Sequence, residues 1–144
     1  MKEEGFTLIE LLIVVAIIGI VSAIAVPNLL NARKAAYEAN AVRYMKSWLP
    51  GQELYKKVNG TYATVDEDLV SGNFISKSLN SGGTADDTAF IYSIDSDVTD
   101  DPRWWGKARR KSALVATRSF YIDQTGVIRA RIGNDAFATD PPMD

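Results

Sequence analysis

A chain of 144 residues can build one domain with a real core, and its 18 acidic and 16 basic residues leave a net charge of −2. So even a balance gives no global attraction to nucleic acid or anionic lipid. It holds no cysteine and no histidine, which excludes disulfides, thiolate or imidazole metal sites and catalysis through a histidine base. No two carboxylates pair convincingly for acid–base work, so no catalytic residue, metal or cofactor is expected, and the chain does not read as an enzyme.

The first element is "GFTLIELLIVVAIIGIVSAIAVP", residues 5–27. From Leu11 to Val26, Ser22 alone is neither apolar, Gly nor Ala. Phe6 to Val26 makes 21 residues, roughly 31 Å of helix and about one bilayer core. An ordinary secretory signal has a basic start, a shorter apolar core and a cleavage site after that core. Here the candidate cut, at Gly5, precedes the run, so the run would stay in the mature chain. Glu10 is the anomaly: a carboxylate in hydrocarbon costs about a few kcal/mol at mid-depth and less near an end. Such a group is tolerated when a partner waits. An α-amine at Phe6 would lie about one turn away in the same helix, or could be met directly from a staggered neighbouring helix; the plainer alternative is that Glu10 snorkels to the headgroups. Ala16, Gly19, Ser22, Ala23 and Ala25 permit close helix approach. Pro27 removes a backbone donor, so Gly19 and Pro27 bound the stretch expected to bend or unwind, against an uninterrupted curved helix in the isolated subunit.

These residues resemble the N-terminal signature of type IV pilins and pseudopilins, over the first fifth of the chain. The resemblance implies that a prepilin peptidase cuts between Gly5 and Phe6, that Phe6 is then N-methylated, and that Glu10 neutralises the N-terminal amine of a neighbouring subunit during assembly. It also implies a kink or melted stretch at the position of Pro27. The leader departs from the family in ending on Glu3-Glu4, where lysine or arginine is usual.

Beyond Pro27 the helical pattern turns amphipathic. Tyr37, Tyr44, Trp48 and Tyr55 are spaced seven, four and seven apart, with Val42, Met45 and Leu49 beside them. The charges Arg33, Lys34, Glu38, Arg43 and Lys46 read as lying mostly off that face. Pro50-Gly51 should kink or break the helix, with resumption over 52–58, and Asn59-Gly60 should stop it. Thr64 is the expected cap of a short helix over Asp66–Val70, closed by Ser71-Gly72-Asn73. "NGTYATVDEDLVSGNFI" resembles the segment after the long helix of many pilins. Residues 79–88 read as a polar loop.

Strands are expected at 90–95 ("FIYSID"), 112–117 ("SALVAT"), 119–123 ("SFYID") and 127–132 ("VIRARI"), with "DQTG" as a hairpin turn needing positive φ at Gly126. Val127, Arg129 and Arg131 would share one face of the last strand. "RSFYIDQTGVIR" resembles the C-terminal hairpin of some cysteine-free bacterial pilins. "TDPPMD" is a tail.

Two clusters invite chemistry. "DSDVTDD" (95–101) is rich in carboxylates but lacks the spacing of a calcium loop, and a solvated acidic loop is the stronger reading. "RWWGKARRK" (103–111) mixes tryptophan with cations, as a DNA-capturing surface would; a basic surface loop meeting the acidic loop of a neighbouring subunit is preferred to direct nucleic-acid binding. Trp104 and Trp105 should point opposite ways, one into the head.

The sequence therefore reads as an α+β chain: leader 1–5; long N-terminal helix 6–58, transmembrane or filament core over 6–27 and amphipathic beyond; and a globular head 59–144 with a short helix and a small antiparallel sheet, the pilin fold. The implied function is a structural subunit polymerising into a type IV pilus, with a type II secretion pseudopilin or minor pilin as the alternative and a non-polymerising membrane tether as a further rival. Implied partners are copies of itself, the prepilin peptidase, an inner-membrane assembly platform and minor pilins. The implied location is the inner membrane before assembly and the cell surface after it.

Overall fold

The computed structural model describes residues 5–76, 89–97, 103–133 and 135–143. Leader residues 1–4, the expected loop at 79–88 and residues 98–101 of the acidic cluster lie outside them. The chain forms two compact units, Met1–Arg33 and Lys34–Asp144.

The first unit holds the apolar half of α1 (Leu8–Asn59), whose large side chains from Leu8 to Leu30 are all exposed. This helix is long and apolar enough to cross a membrane.

In the second unit the rest of α1 lies along one face of an antiparallel sheet. The strands are β1 (Phe90–Asp97), β2 (Arg103–Arg110), β3 (Arg118–Asp123) and β4 (Arg129–Ile132), in the order β1-β2-β3-β4. Phe90, Tyr92 and Ile94 alternate inward, as a half-buried strand requires. They meet Trp104, Ala108, Phe120 and Ile122 from the neighbouring strands and Ala41, Met45 and Trp48 from α1 in one core. The ring of Tyr44 packs edge-on against Trp48 and Tyr92, with centroids 5.2 and 5.0 Å apart. The β3–β4 turn forms as its sequence demands. Gly126 has φ +75°, its N–H donates to the Asp123 carbonyl at 2.9 Å, and Asp123 Oδ1 accepts from the Thr125 N–H. The outer edge of β4 is covered by the tail: the Ala130 N–H donates to the Pro141 carbonyl, and Met143 N–H to the Ile128 carbonyl.

Four expectations are corrected. Residues 103–110 are a strand, not a basic loop; the inward positions Trp104, Gly106 and Ala108 alternate with Arg103, Trp105, Lys107 and Arg109. Residues 112–117 are the connection between β2 and β3, despite their β-rich composition. The helix continues through Pro50, because packing fixes the turn after it: Gly51 lies under Ile75, and the buried Gln52 side chain bonds both the N–H and the carbonyl of Ala63 at 2.8 and 2.9 Å. The short helix is α2 (Asp66–Ser71), capped at Val65 without a side-chain bond, so Thr64 is not its cap. It ends at Gly72, as expected, and Asn73 takes φ +58°.

Candidate assembly site

The expected processing point is open. Gly5 and Phe6 precede the first turn of α1 without regular structure, and both are exposed. Immediately beyond lies a feature absent from the sequence-based expectations. The Thr7 carbonyl accepts from Leu11 N–H, which makes Thr7 the residue capping α1. Its hydroxyl accepts from Glu10 N–H at 3.3 Å, while Glu10 Oε2 accepts from the Thr7 N–H at 2.8 Å and from the Thr7 hydroxyl at 2.7 Å. This reciprocal pair is a capping box, and the signal for it is present in the sequence as Thr-x-x-Glu. Glu10 thus has a partner inside its own chain. Its carboxylate is anchored one residue from the expected new N-terminus, with Oε1 left for another donor.

Gly19 and Pro27 lie within α1, and both are exposed; a side chain at Gly19 would meet nothing within 4 Å.

In the head, three polar clamps tie α1 to later segments of the chain. Glu38, read from the sequence as a surface charge, is buried. Its Oε1 accepts from the N–H groups of Thr117 and Arg118 at 2.7 and 3.0 Å, and its Oε2 accepts from the Arg118 guanidinium at 2.9 Å. Tyr44 donates its hydroxyl to buried Asp66 at 2.8 Å, and Gln52 bonds Ala63. Around the third clamp, Tyr62 donates to Glu53 at 3.0 Å with the Lys56 ammonium over its ring. Burial, and then Glu53, raise the Tyr62 phenol above its ordinary value; burial, and then Asp123, do the same to Tyr121.

The mixed aromatic and basic cluster is dispersed by the pleat. Trp104 is buried in the core and Trp105 is half-buried on the other face, the opposed orientation expected. On that face the tail lies across the sheet, with Phe137 between Lys107 at 5.0 Å and Arg131 at 5.8 Å. A stacking surface for bases would need those aromatics in a row. Among the described residues, no group of three or more carboxylates is placed to hold a metal ion.

Residues 1–26 match the family described as the prokaryotic N-terminal methylation motif. The chain is 46% identical over 70 residues to the type IV wide pilus major component PilA4 of Thermus thermophilus, covering 49% of this chain and 53% of that one. It is 38% identical over 68 residues to the type II secretion system core protein G of Vibrio cholerae, covering 47% of each. Against the type IV major pilin protein PilA of Myxococcus xanthus the identity is 39% over 68 residues, 47% of this chain and 31% of the relative. The chain thus spans about half the length, or less, of these curated relatives.

Proposed function

From a chain that carries the prokaryotic N-terminal methylation motif and is homologous to type IV pilins and to type II secretion protein G, we propose a structural subunit that polymerises into a type IV pilus on the cell surface. The observation that carries this reading is the apolar half of α1. It presents an uncovered greasy surface from Leu8 to Leu30, which water does not tolerate and which lipid or other apolar helices, copies of this one among them, would cover.

In this account the leader 1–5 is removed, Phe6 is methylated, and α1 holds the subunit in the inner membrane by residues 6–27. An assembly platform then transfers it into a bundle of identical helices, with residues 59–144 and the adjoining part of α1 outward. Glu10 selects the register. The capping box holds its carboxylate at the start of the helix, where Oε1 can meet the Phe6 amine of a neighbour. Desolvation offsets much of that attraction, so the pair chooses among axial offsets more than it binds. The stretch from Gly19 to Pro27 loosens when subunits pack, because glycine favours the unwound chain and Pro27 leaves one backbone donor missing.

The similarity to protein G supports a second reading, a pseudopilin of a secretion machine. The two are separated by shearing fibres from cells and identifying their main component. Abundant fibres made of this chain, beginning at N-methylated Phe6 by mass spectrometry, are the expected result. Short or absent fibres, with secretion lost on deletion, would favour the second reading, and an uncut, unmethylated N-terminus would contradict both.

A further inference from the structure

The segment after β4 returns along the outer edge of that strand and fills it as a ligand fills a groove. The Ala130 N–H donates to the Pro141 carbonyl at 3.4 Å, and the Met143 N–H donates to the Ile128 carbonyl at 2.8 Å. These two bonds flank the antiparallel pair Arg129–Pro142. The backbone of Pro142 therefore faces away from β4, and proline has no N–H to offer a further strand. One side of the segment fits β4, and the other side ends the sheet.

Side chains make the fit selective. The Phe137 ring is held between Lys107 at 5.0 Å and Arg131 at 5.8 Å. Asp140 Oδ1 stands 4.0 Å from Arg131 Nε, and the Asp140 carbonyl accepts from the Arg129 guanidinium at 2.9 Å. The ligand is also shaped in advance. The Phe137 N–H donates to Asp140 Oδ2 at 2.7 Å, and the Asp140 N–H donates to the Phe137 carbonyl at 3.1 Å. Ala136 is buried and Met143 packs against the core. A second β4 is a poor occupant of this edge, because pairing the two face for face sets arginine against arginine. The strand that suits it carries an aromatic ring, an aspartate three positions on and then proline, which is the tail itself.

We propose that the β4 edge is a strand-binding groove whose ligand is exchangeable, so that in a fibre the tail of a neighbouring copy replaces the resident one and ties two heads together. This rests on the polymer reading above, which brings copies side by side. A neighbour's tail makes the same bonds in the same groove, so exchange leaves their number unchanged; swapped elements join subunits at low cost for that reason. The Ser119 hydroxyl holds the Gly133 carbonyl at 2.7 Å, so the part that swings begins beyond Gly133. From there to Pro142 an extended chain reaches roughly 30 Å, comparable to the width of a domain of this size. Copies gathered in one fibre present each tail to the next groove at high effective concentration.

Because the chain lacks cysteine, Arg129→Cys and Pro142→Cys report which tail fills which groove. The doubly substituted chain, dilute in detergent, is expected to close an internal disulfide; failure to close overturns the groove itself. Cells making the two single variants together with the native chain are expected to yield sheared fibres in which a 129–142 disulfide joins two copies, about tenfold above the same variants mixed in detergent. Fibres that contain both variants without that cross-link overturn the proposal and leave polymerisation intact. A native chain that makes no fibres removes the polymer reading instead. A second measurement does not depend on assembly. The chain lacking residues 137–144 is titrated in detergent with the peptide "DAFATDPPM", residues 135–143. The peptide should bind it about tenfold more tightly than it binds the full chain, and a peptide with Phe137→Ala should bind about tenfold more weakly. Equal binding to both chains overturns the proposal. So does a shortened chain without native tryptophan emission, since a tail the head cannot fold without is not an exchangeable ligand.

Discussion

Glu38 and Arg118, eighty residues apart, form the joint between α1 and the sheet: one carboxylate takes two backbone N–H groups and a guanidinium. Removing the carboxylate leaves those partly buried donors without their acceptor. Glu38→Ala should therefore destabilise the head by about 3 kcal/mol. Arg118→Ala should cost only about 1 kcal/mol, because the Arg118 side chain is 40% exposed and its contribution is screened. Urea unfolding of the full chain in detergent, followed by tryptophan fluorescence, checks both; equal losses would mean that the ion pair, not the backbone bonds, makes the joint.

Gly106, one of the three inward positions of β2, lies under the indole of Trp48. A Cβ there would come within 2.3 and 2.6 Å of the ring, and the ring, buried among Tyr44, Tyr92 and Met45, has no room to retreat. Gly106→Ala should cost about 1–3 kcal/mol by overpacking. The same unfolding measurement reads it, and a neutral result would show that the helix and sheet can separate slightly at no cost.

That contact also explains why β2 is hard to read from sequence. Its period-2 alternation is present, but two of its three inward residues, Gly106 and Ala108, are too small to announce a buried face. The size of Gly106 is set by Trp48, which is non-local. The apolar span, the aromatic stripe, β1 and the Asp123–Gly126 turn are legible because each arises from residues within a few positions of one another. Residues 112–117 mislead in the opposite sense: Leu, Val and Thr favour strands, yet Glu38 and Arg110 bind the 116–118 backbone into a connection. The burial of Glu38 is invisible in its own neighbourhood, since its partners lie on another element. The Thr7–Glu10 box, by contrast, is fully local, but the cost of a carboxylate beside an apolar span masks its simpler role as a helix cap.

Stability should fall in alkali. Tyr62 and Tyr121 keep their protons above the ordinary phenol value in the folded state, while the unfolded chain releases them near pH 10. In that window the unfolded state binds fewer protons, so the folded state loses ground as pH rises. Their contribution is complete below about pH 10 and is lost as pH climbs through the raised values. Thermal melts should show a decline in alkali that Tyr121→Phe makes shallower. An unchanged slope in that variant would assign the decline elsewhere.

Thr7→Val removes the hydroxyl half of the capping box and leaves Glu10 in place. Loss of such a cap costs about 0.5–2 kcal/mol at the helix start. Amide exchange at residues 8–10 in detergent should accelerate several-fold, with no change in the amides of β2 or β3. Assembly should be slowed rather than abolished, because the carboxylate remains.

The register role of Glu10 is tested most directly by imaging sheared surface fibres from cells making either the native chain or Glu10→Val, alongside membrane fractions. The account predicts that the variant is inserted and cut like the native chain, accumulates in the membrane, and yields few or no fibres. Normal fibres of native length and number from Glu10→Val would contradict it.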